Sequence, residues 1–331
     1  MTTGVPTSEA APGSVLTSSD LRAEFRSMAS DVTLWVVDPR ATAQSRLDRA
    51  RAVIERVASS CTRFDPDSDL MRANAAGRRW QVVAPECFDA LQAAHQAHLS
   101  TDGLFDPRVL RVLTSYGYDA SLPFEGRSVQ LPTATAAEPR RPRRVWKPRF
   151  DVERSAVRVG REPVDLGGIG KGLAVRWAAQ QLKGAGAAAL VDAGGDLMAL
   201  GAGPDGSGWM VGVENPLGGD EPAAVLRISD RACATSSTRV RTWTAGTRLV
   251  HHIVDPRTGR SADTGLASVT VVGTDPAMSE VWSKSLYLVG KKGIRATADA
   301  RNLAALWIDA AGHVGVSRAM LPHVAWKVSR V

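Results

Sequence analysis

Val164-Asp165-Leu166-Gly167-Gly168-Ile169-Gly170-Lys171-Gly172 packs four glycines into its last six residues and sets a lysine among them. Glycine lets a backbone turn sharply and approach a ligand closely. A strand-like run, Ala156 to Val159, precedes the stretch, and a helix-compatible run, Leu173 to Leu182, follows it. Lys171 therefore stands where a helix begins, and free backbone N–H groups at a helix start attract phosphate. The physical reading is a phosphate-binding loop with a carboxylate, Asp165, beside it. The plainer alternative is a glycine-rich connection that carries an exposed lysine. Two common motifs are excluded. A Walker A loop needs Ser or Thr after its lysine and Gly six residues before it, where Gly172 and Asp165 stand. A dinucleotide fingerprint begun at Gly168 and Gly170 would need its third glycine at Leu173.

The chain has 331 residues, room for one large domain or two smaller ones with a sizeable core. Its net charge of +7 is concentrated in one run, Glu138 to Arg149, which holds six cationic residues against one acidic. Three prolines there disfavour regular structure. The expectation is a solvated basic loop within an irregular connection at about residues 120–149, with no nucleic-acid partner. Cys61, Cys87 and Cys233 are scattered and form no C-x-x-C pair, which fits buried thiols in a reducing compartment. Residues 1–22 are rich in Ser, Thr, Ala, Pro and Gly and lack the basic and apolar regions of a signal peptide. The expectation is a disordered tail over 1–22, one domain over 23–331, no membrane anchor, and a cytoplasmic protein.

Periodicity predicts a first strand over Phe25 to Val37 and helices over Ala41 to Cys61, Pro85 to Ser100 and Ala277 to Val289. Strands are expected at Ala187 to Asp192, Val225 to Ile228, Ala267 to Val272 and Leu303 to Ile308, with a strand running into a polar turn over Trp209 to Pro216 and a short strand closing in a Pro turn over His251 to Gly259. His95 and His98 read as packing or surface histidines, because no acidic or cysteine partner sits at ligand spacing. Strands outnumber helices and the helices are not regularly interposed, which argues α+β rather than a doubly wound sheet.

In this order the chain resembles the ApbE family, the FAD:protein FMN transferases. The resemblance rests on Phe64-Asp65-Pro66-Asp67-Ser68 with Asn74, Asp102 to Pro107, Asp165 to Gly172, Gly194-Gly195-Asp196, Glu214-Asn215-Pro216, Thr235-Ser236 and His252 to Gly259. It implies a T-fold-like α+β architecture of two lobes around a flavin-binding cleft. It also implies the reaction: FMN moves from FAD to a threonine hydroxyl of a partner flavoprotein, AMP leaves, and magnesium assists. The alternatives are an FAD-binding protein of the same fold without transferase activity, or a hydrolase giving FMN and AMP. The resemblance places the FAD phosphates against Gly167, Gly168 and Lys171, with Asp165 and Asp196 nearby. Thr235 and Ser236 are expected to contact ligand, and Asn215 to reach the adenosine side.

Under the same resemblance His252 handles the proton and also touches the cofactor, while Asp255 orients it or binds ligand. His251 is expected to face away, since neighbours on a strand point to opposite sides. The metal site departs from the family pattern of an Asp and, four residues on, a Thr or Ser. The matching residues are Glu280 and Lys284, with the carbonyl of Gly170 as the third protein ligand. A protonated lysine cannot ligate a hard cation. Lys284 is therefore expected either to form an ordinary helix pair with Glu280 or to take the place of the ion and serve the reaction as a fixed charge. Arg176 and Leu173 also depart from the family, which often has Asp and Tyr there.

Overall fold

Leu21–Ser27 (β1) and Ser30–Val37 (β2) form an antiparallel hairpin in which Leu21 faces Val36 and Ser27 faces Ser30. The single strand expected over Phe25 to Val37 is thus broken. Met28 and Ala29 both adopt left-handed backbone (φ 51° and 56°), the geometry of a tight hairpin turn. Neither is the Asn or Gly that usually announces such a turn, so the pattern ran through it unmarked. The structure, a computed structural model, describes residues 20–119, 145–239, 241–245 and 247–331. Most of the expected tail and of the basic loop lies outside these residues. Leu21 and Arg22 belong to β1, and Arg149 already opens a short strand, Arg149–Asp151.

The hairpin begins an eight-stranded sheet. Its other strands are Ala188–Ala193 (β3), Asp196–Leu200 (β4), Arg231–Ser237 (β5), Leu266–Gly273 (β6), Ala304–Asp309 (β7) and Val314–Val316 (β8). Their order across the sheet is their order in the chain, and each neighbouring pair is antiparallel. Helices enter only as insertions between strands, which is the α+β organisation expected from the sequence.

Alternation along β2 sends Val32, Leu34 and Val36 to one face. They pack there on Leu47, Ile54 and Val57 of helix α1 (Ala43–Cys61), and on Val175, Ala178 and Leu182 of a later helix, α4 (Gly170–Leu182). Trp35 and Val37 take the opposite face, against Trp209, Leu226 and Ile228 of a three-stranded sheet. The molecule is therefore layered as helices, large sheet and small sheet. Helix α2 (Asp69–Ala76) is capped by Ser68, whose Oγ accepts from the Met71 N–H at 3.1 Å. Helix α3 runs over Pro85–Ser100 as expected. Its His98 is a satisfied core residue: Nδ1 bonds the Phe105 carbonyl at 2.9 Å, and Nε2 accepts from the Trp146 N–H at 3.1 Å. No helix among the described residues is long and apolar enough to cross a membrane.

Helix α5 (Pro276–Val289) starts at Asp275, whose carboxylate accepts from the Ala277 N–H at 3.0 Å. Arg176 of α4 grips the same carboxylate with Nε at 2.9 Å and Nη2 at 2.7 Å, so this departure from the family ties two helices together. The helices meet at Gly172. A Cβ there would stand 2.6 Å from the Ala277 Cα and 2.7 Å from the Pro276 carbonyl oxygen. Both are backbone atoms with little room to yield. Gly172→Ala is expected to destabilise the fold by about 1–3 kcal/mol through overpacking. Thermal melting checks this, and an unchanged midpoint would mean that the helices separate at no cost.

Candidate functional site

Asn74 fixes the start of the glycine loop from a distance in sequence. Its Oδ1 accepts from the Val164 N–H at 2.8 Å and its Nδ2 donates to the Val164 carbonyl at 2.9 Å. One side chain thus satisfies both backbone groups of the residue before Asp165. Asn74→Ala leaves both groups without these bonds and is expected to cost about 1–3 kcal/mol. Denaturant titration measures it, and a loss below a few tenths would mean that water replaces the amide.

The loop is held further by Asp165. Its Oδ1 accepts from the Gly167 N–H at 2.7 Å, and its Oδ2 pairs with Arg63 Nε at 2.9 Å. Both partners of this ion pair are buried, with side chains 7 % and 8 % exposed. The Arg63 guanidinium lies 4.3 Å from the Phe64 ring centre and 4.2 Å from that of Tyr118. Sequence reasoning placed Asp165 beside a ligand but did not single out Arg63. A buried carboxylate needs a partner, and that requirement was the available signal.

Two cavities meet at the loop. One, of about 370 Å³, is mainly apolar and includes Phe64, Leu104, Phe105 and Tyr118 in its wall. The other, of about 890 Å³, is more polar and is lined by Asp196, Glu214, Thr235 and Ser236 among others. Both are lined by Ala29, Gly167, Lys171, Arg241, His252 and Lys284, which therefore form the neck between them. Arg241 had no motif to mark it in the sequence.

The neck is cationic. Lys171 forms an ion pair with Asp196, which is 2 % exposed. Burial alone would lower the Lys171 pKa, but the carboxylates of Asp196 and Glu280 outweigh it and raise the value, so the residue stays charged. Glu280 is buried; its Oε2 accepts from the Gly172 N–H at 2.9 Å and its Oε1 faces Lys284 Nζ at 3.5 Å. Burial raises the Glu280 pKa above the usual carboxylate range, against the pull of Lys284. Three cations, Lys171, Arg241 and Lys284, line both cavities, while the carboxylates of Asp192, Asp196, Glu214 and Glu280 line the larger one.

His252 lines both cavities, and its Nδ1 is buried without a hydrogen-bond partner among the described residues. Its pKa lies well below the ordinary 6.5, first because of burial and then because of the charges of Arg241 and Lys284. The ring is neutral near neutrality and offers a lone pair. His251 is engaged elsewhere: Nε2 bonds the Ala262 carbonyl at 2.8 Å and Nδ1 accepts from the Ile253 N–H at 3.2 Å. The strand ends at His251 and His252 lies in the bend after it, so strand alternation does not apply; the His252 ring lines the cavities while that of His251 is bonded elsewhere.

The remaining candidates divide. The Thr235 hydroxyl, on the exposed side of β5, meets that of Thr270 at 2.9 Å. Ser236, on the buried side, meets Ser283 of α5 at 2.7 Å. Asn215 closes its own turn, accepting from the Leu217 N–H at 2.9 Å, while its neighbour Glu214 lines the larger cavity. Asp255 is gripped by Arg257 of its own turn through Nε at 3.0 Å and Nη2 at 2.9 Å, with the Arg257 N–H at 2.8 Å. Asp106-Pro107-Arg108 repeats the same closure at 2.9, 2.8 and 2.9 Å. Two of the three Asp-Pro-Arg tripeptides in the chain thus lock their own turn; the Arg40 N–H of the third, Asp38-Pro39-Arg40, bonds the Ala185 carbonyl instead.

The expected magnesium ligands do not suit magnesium. That ion demands about six oxygen donors at about 2.0–2.1 Å. One Glu280 oxygen accepts from a backbone N–H; the other has no hydrogen-bond partner among the described residues and faces the Lys284 ammonium at 3.5 Å. Gly170 opens α4, and the side chain of Lys284 fills the space beside the loop: its Cδ lies 3.4 Å from where a Cβ on Gly168 would stand. No group of three or more His, Cys, Asp or Glu side chains that could hold a metal is assembled among the described residues.

Known proteins share the family and the fold. The model of the ApbE family matches residues 28–307. An FAD:protein FMN transferase of Klebsiella pneumoniae is 28% identical over 78% of this chain and 81% of its own length. One of Haemophilus influenzae is 27% identical over 80% and 78%. The crystal structure of an ApbE protein of Thermotoga maritima superposes with a TM-score of 0.77 at 24% identity, covering 92% of this chain and 98% of its own. The Vibrio cholerae flavin transferase ApbE gives 0.72 at 22% identity, covering 92% and 99%.

Proposed function

This chain belongs to the ApbE family and transfers FMN from FAD to a protein, and from that premise we propose that its cationic neck holds the pyrophosphate of FAD. The observation that supports this most is the set of residues shared by the two cavities. Lys171, Arg241, Lys284 and Gly167 line both cavities, and three of the four carry positive charge. A pyrophosphate carries the complementary charge, and phosphoryl transfer depends on holding and neutralising it. The apolar cavity, with Phe64 and Tyr118, suits the flavin ring. The larger, more polar one opens the same neck to the acceptor.

In the reaction we assign, the acceptor threonine Oγ bonds to the FMN phosphorus. The bond from that phosphorus to the bridging oxygen breaks, and AMP leaves with the oxygen and its electron pair. His252, neutral and with a buried Nδ1 that has no hydrogen-bond partner among the described residues, takes the threonine proton. Lys171 and Arg241 hold the phosphate oxygens. The Asp255–Arg257 turn positions the segment that carries His252. Thr235 and Ser236 shape the polar wall. Where a magnesium ion is bound in such a reaction it adds charge neutralisation; the donors present here do not suit it, and no step depends on it. The three free cysteines support placing the reaction in a reducing compartment, the cytoplasm.

The purified protein, FAD and a peptide bearing a target threonine test this reading. Equimolar AMP and flavin-labelled peptide are expected. AMP without labelled peptide would favour a hydrolase, and bound FAD with neither product would favour a flavin-binding protein.

A further inference from the structure

The disagreement between the donors present and a divalent ion has a positive content. We propose that the ammonium of Lys284 is a built-in cation that replaces the metal beside the pyrophosphate, so that this chain transfers FMN without a divalent ion. The proposal rests on the transferase reading above.

Three observations carry it. Lys284 lines both cavities, so its charge lies at the neck rather than on the outer face of α5. Its stem is packed along the glycine loop, with Cδ and Cε 3.4 and 3.5 Å from the Cβ position of Gly168. Its Nζ lies 3.5 Å from Glu280 Oε1, an ion-pair separation without a hydrogen bond, and its side chain is 20 % exposed. An ordinary surface pair would leave both partners in water; here the carboxylate is 3 % exposed. Without Lys284 the residues shared by the two cavities would keep two of their three cations, and a divalent ion would have to supply the missing charge beside a pyrophosphate. With Lys284 one unit of that charge is supplied covalently, and an added ion would meet an ammonium where it needs a ligand.

The bonds made and broken are those already described. The change is in what stabilises the charge that develops on the phosphate oxygens and on the departing AMP: an N–H donor rather than a metal. An ammonium also donates hydrogen bonds, so its position fixes which oxygens it serves.

The test has two arms. In the first, binding of Mn²⁺ alone is followed by electron paramagnetic resonance on the protein with and without FAD, for the wild type and for Lys284→Thr. The wild type is expected to bind no more Mn²⁺ than free FAD does, and Lys284→Thr to gain a site. In the second arm, transfer to the threonine peptide is measured with EDTA and with magnesium. Wild-type rates are expected to agree within about twofold, Lys284→Met to fall about 100-fold in EDTA, and Lys284→Arg to keep more activity than Lys284→Met. These are rates that depend on one charge-stabilising donor. Stoichiometric Mn²⁺ in the wild type, or transfer abolished by EDTA and restored by magnesium, overturns the proposal and leaves the transferase reading intact. No transfer under either condition overturns that reading and this proposal with it.

Discussion

His252→Ala lowers the rate of FMN transfer by about 10²- to 10⁴-fold, the span expected for loss of a positioned general base, while FAD still binds. The threonine hydroxyl is a poor nucleophile until it sheds its proton, and His252 is the imidazole at the neck with a buried nitrogen left without a hydrogen bond among the described residues. The sign of the pH dependence follows from its environment. Burial and the charges of Arg241 and Lys284 depress its pKa below 6.5, so the base is in its working, neutral form above that value. The acid limb of kcat/KM, which reports the free enzyme, is expected below pH 6.5 and to vanish in His252→Ala. His251→Ala is the control. It breaks bonds to Ile253 and Ala262 and loses stability, but leaves the position of the acid limb unchanged. Equal rates for wild type and His252→Ala would remove the residue from the chemistry.

Asp165→Ala is expected to destabilise the protein by about 3–5 kcal/mol, the cost of stranding one member of a buried ion pair. The figure needs little discount for solvent, because both side chains are more than nine-tenths buried. The mutation leaves the Arg63 guanidinium without its carboxylate and frees the Gly167 N–H from its acceptor. The glycine loop then loses its fixed geometry as well as stability. Denaturant titration reads the loss, and the double variant Arg63→Leu with Asp165→Leu is expected to recover part of it, because no charge is then left unpaired. A single mutant within about 1 kcal/mol of wild type would mean that water reaches Arg63 and the pair is not structural.

What could be read in the sequence was what is local. Helix α3 announced itself with Pro85 at its first turn and Gly103 after its end, and the structure bounds it at Pro85–Ser100. The glycine loop and its lysine follow from short-range rules. Separations of many residues hid the rest. Lys171 meets Asp196 across 25 positions and Gly172 meets Glu280 across 108. Arg241 enters the neck with no pattern around it. The Met28–Ala29 turn hides because its backbone geometry contradicts its residue types. Asn215 and Asp255 were quoted for the motifs they stand in; the structure finds each closing its own turn. Family motifs mark positions, and only geometry separates those that touch ligand from those that shape the loop.

The measurement that tests the central claim most directly is a crystal structure of His252→Ala with FAD bound. This account expects the pyrophosphate at the neck, with its oxygens within about 3 Å of Lys171 Nζ and Lys284 Nζ and the Gly167 backbone alongside. A pyrophosphate seated away from these residues, with the neck still filled by the Lys171–Asp196 and Lys284–Glu280 pairs, would contradict it.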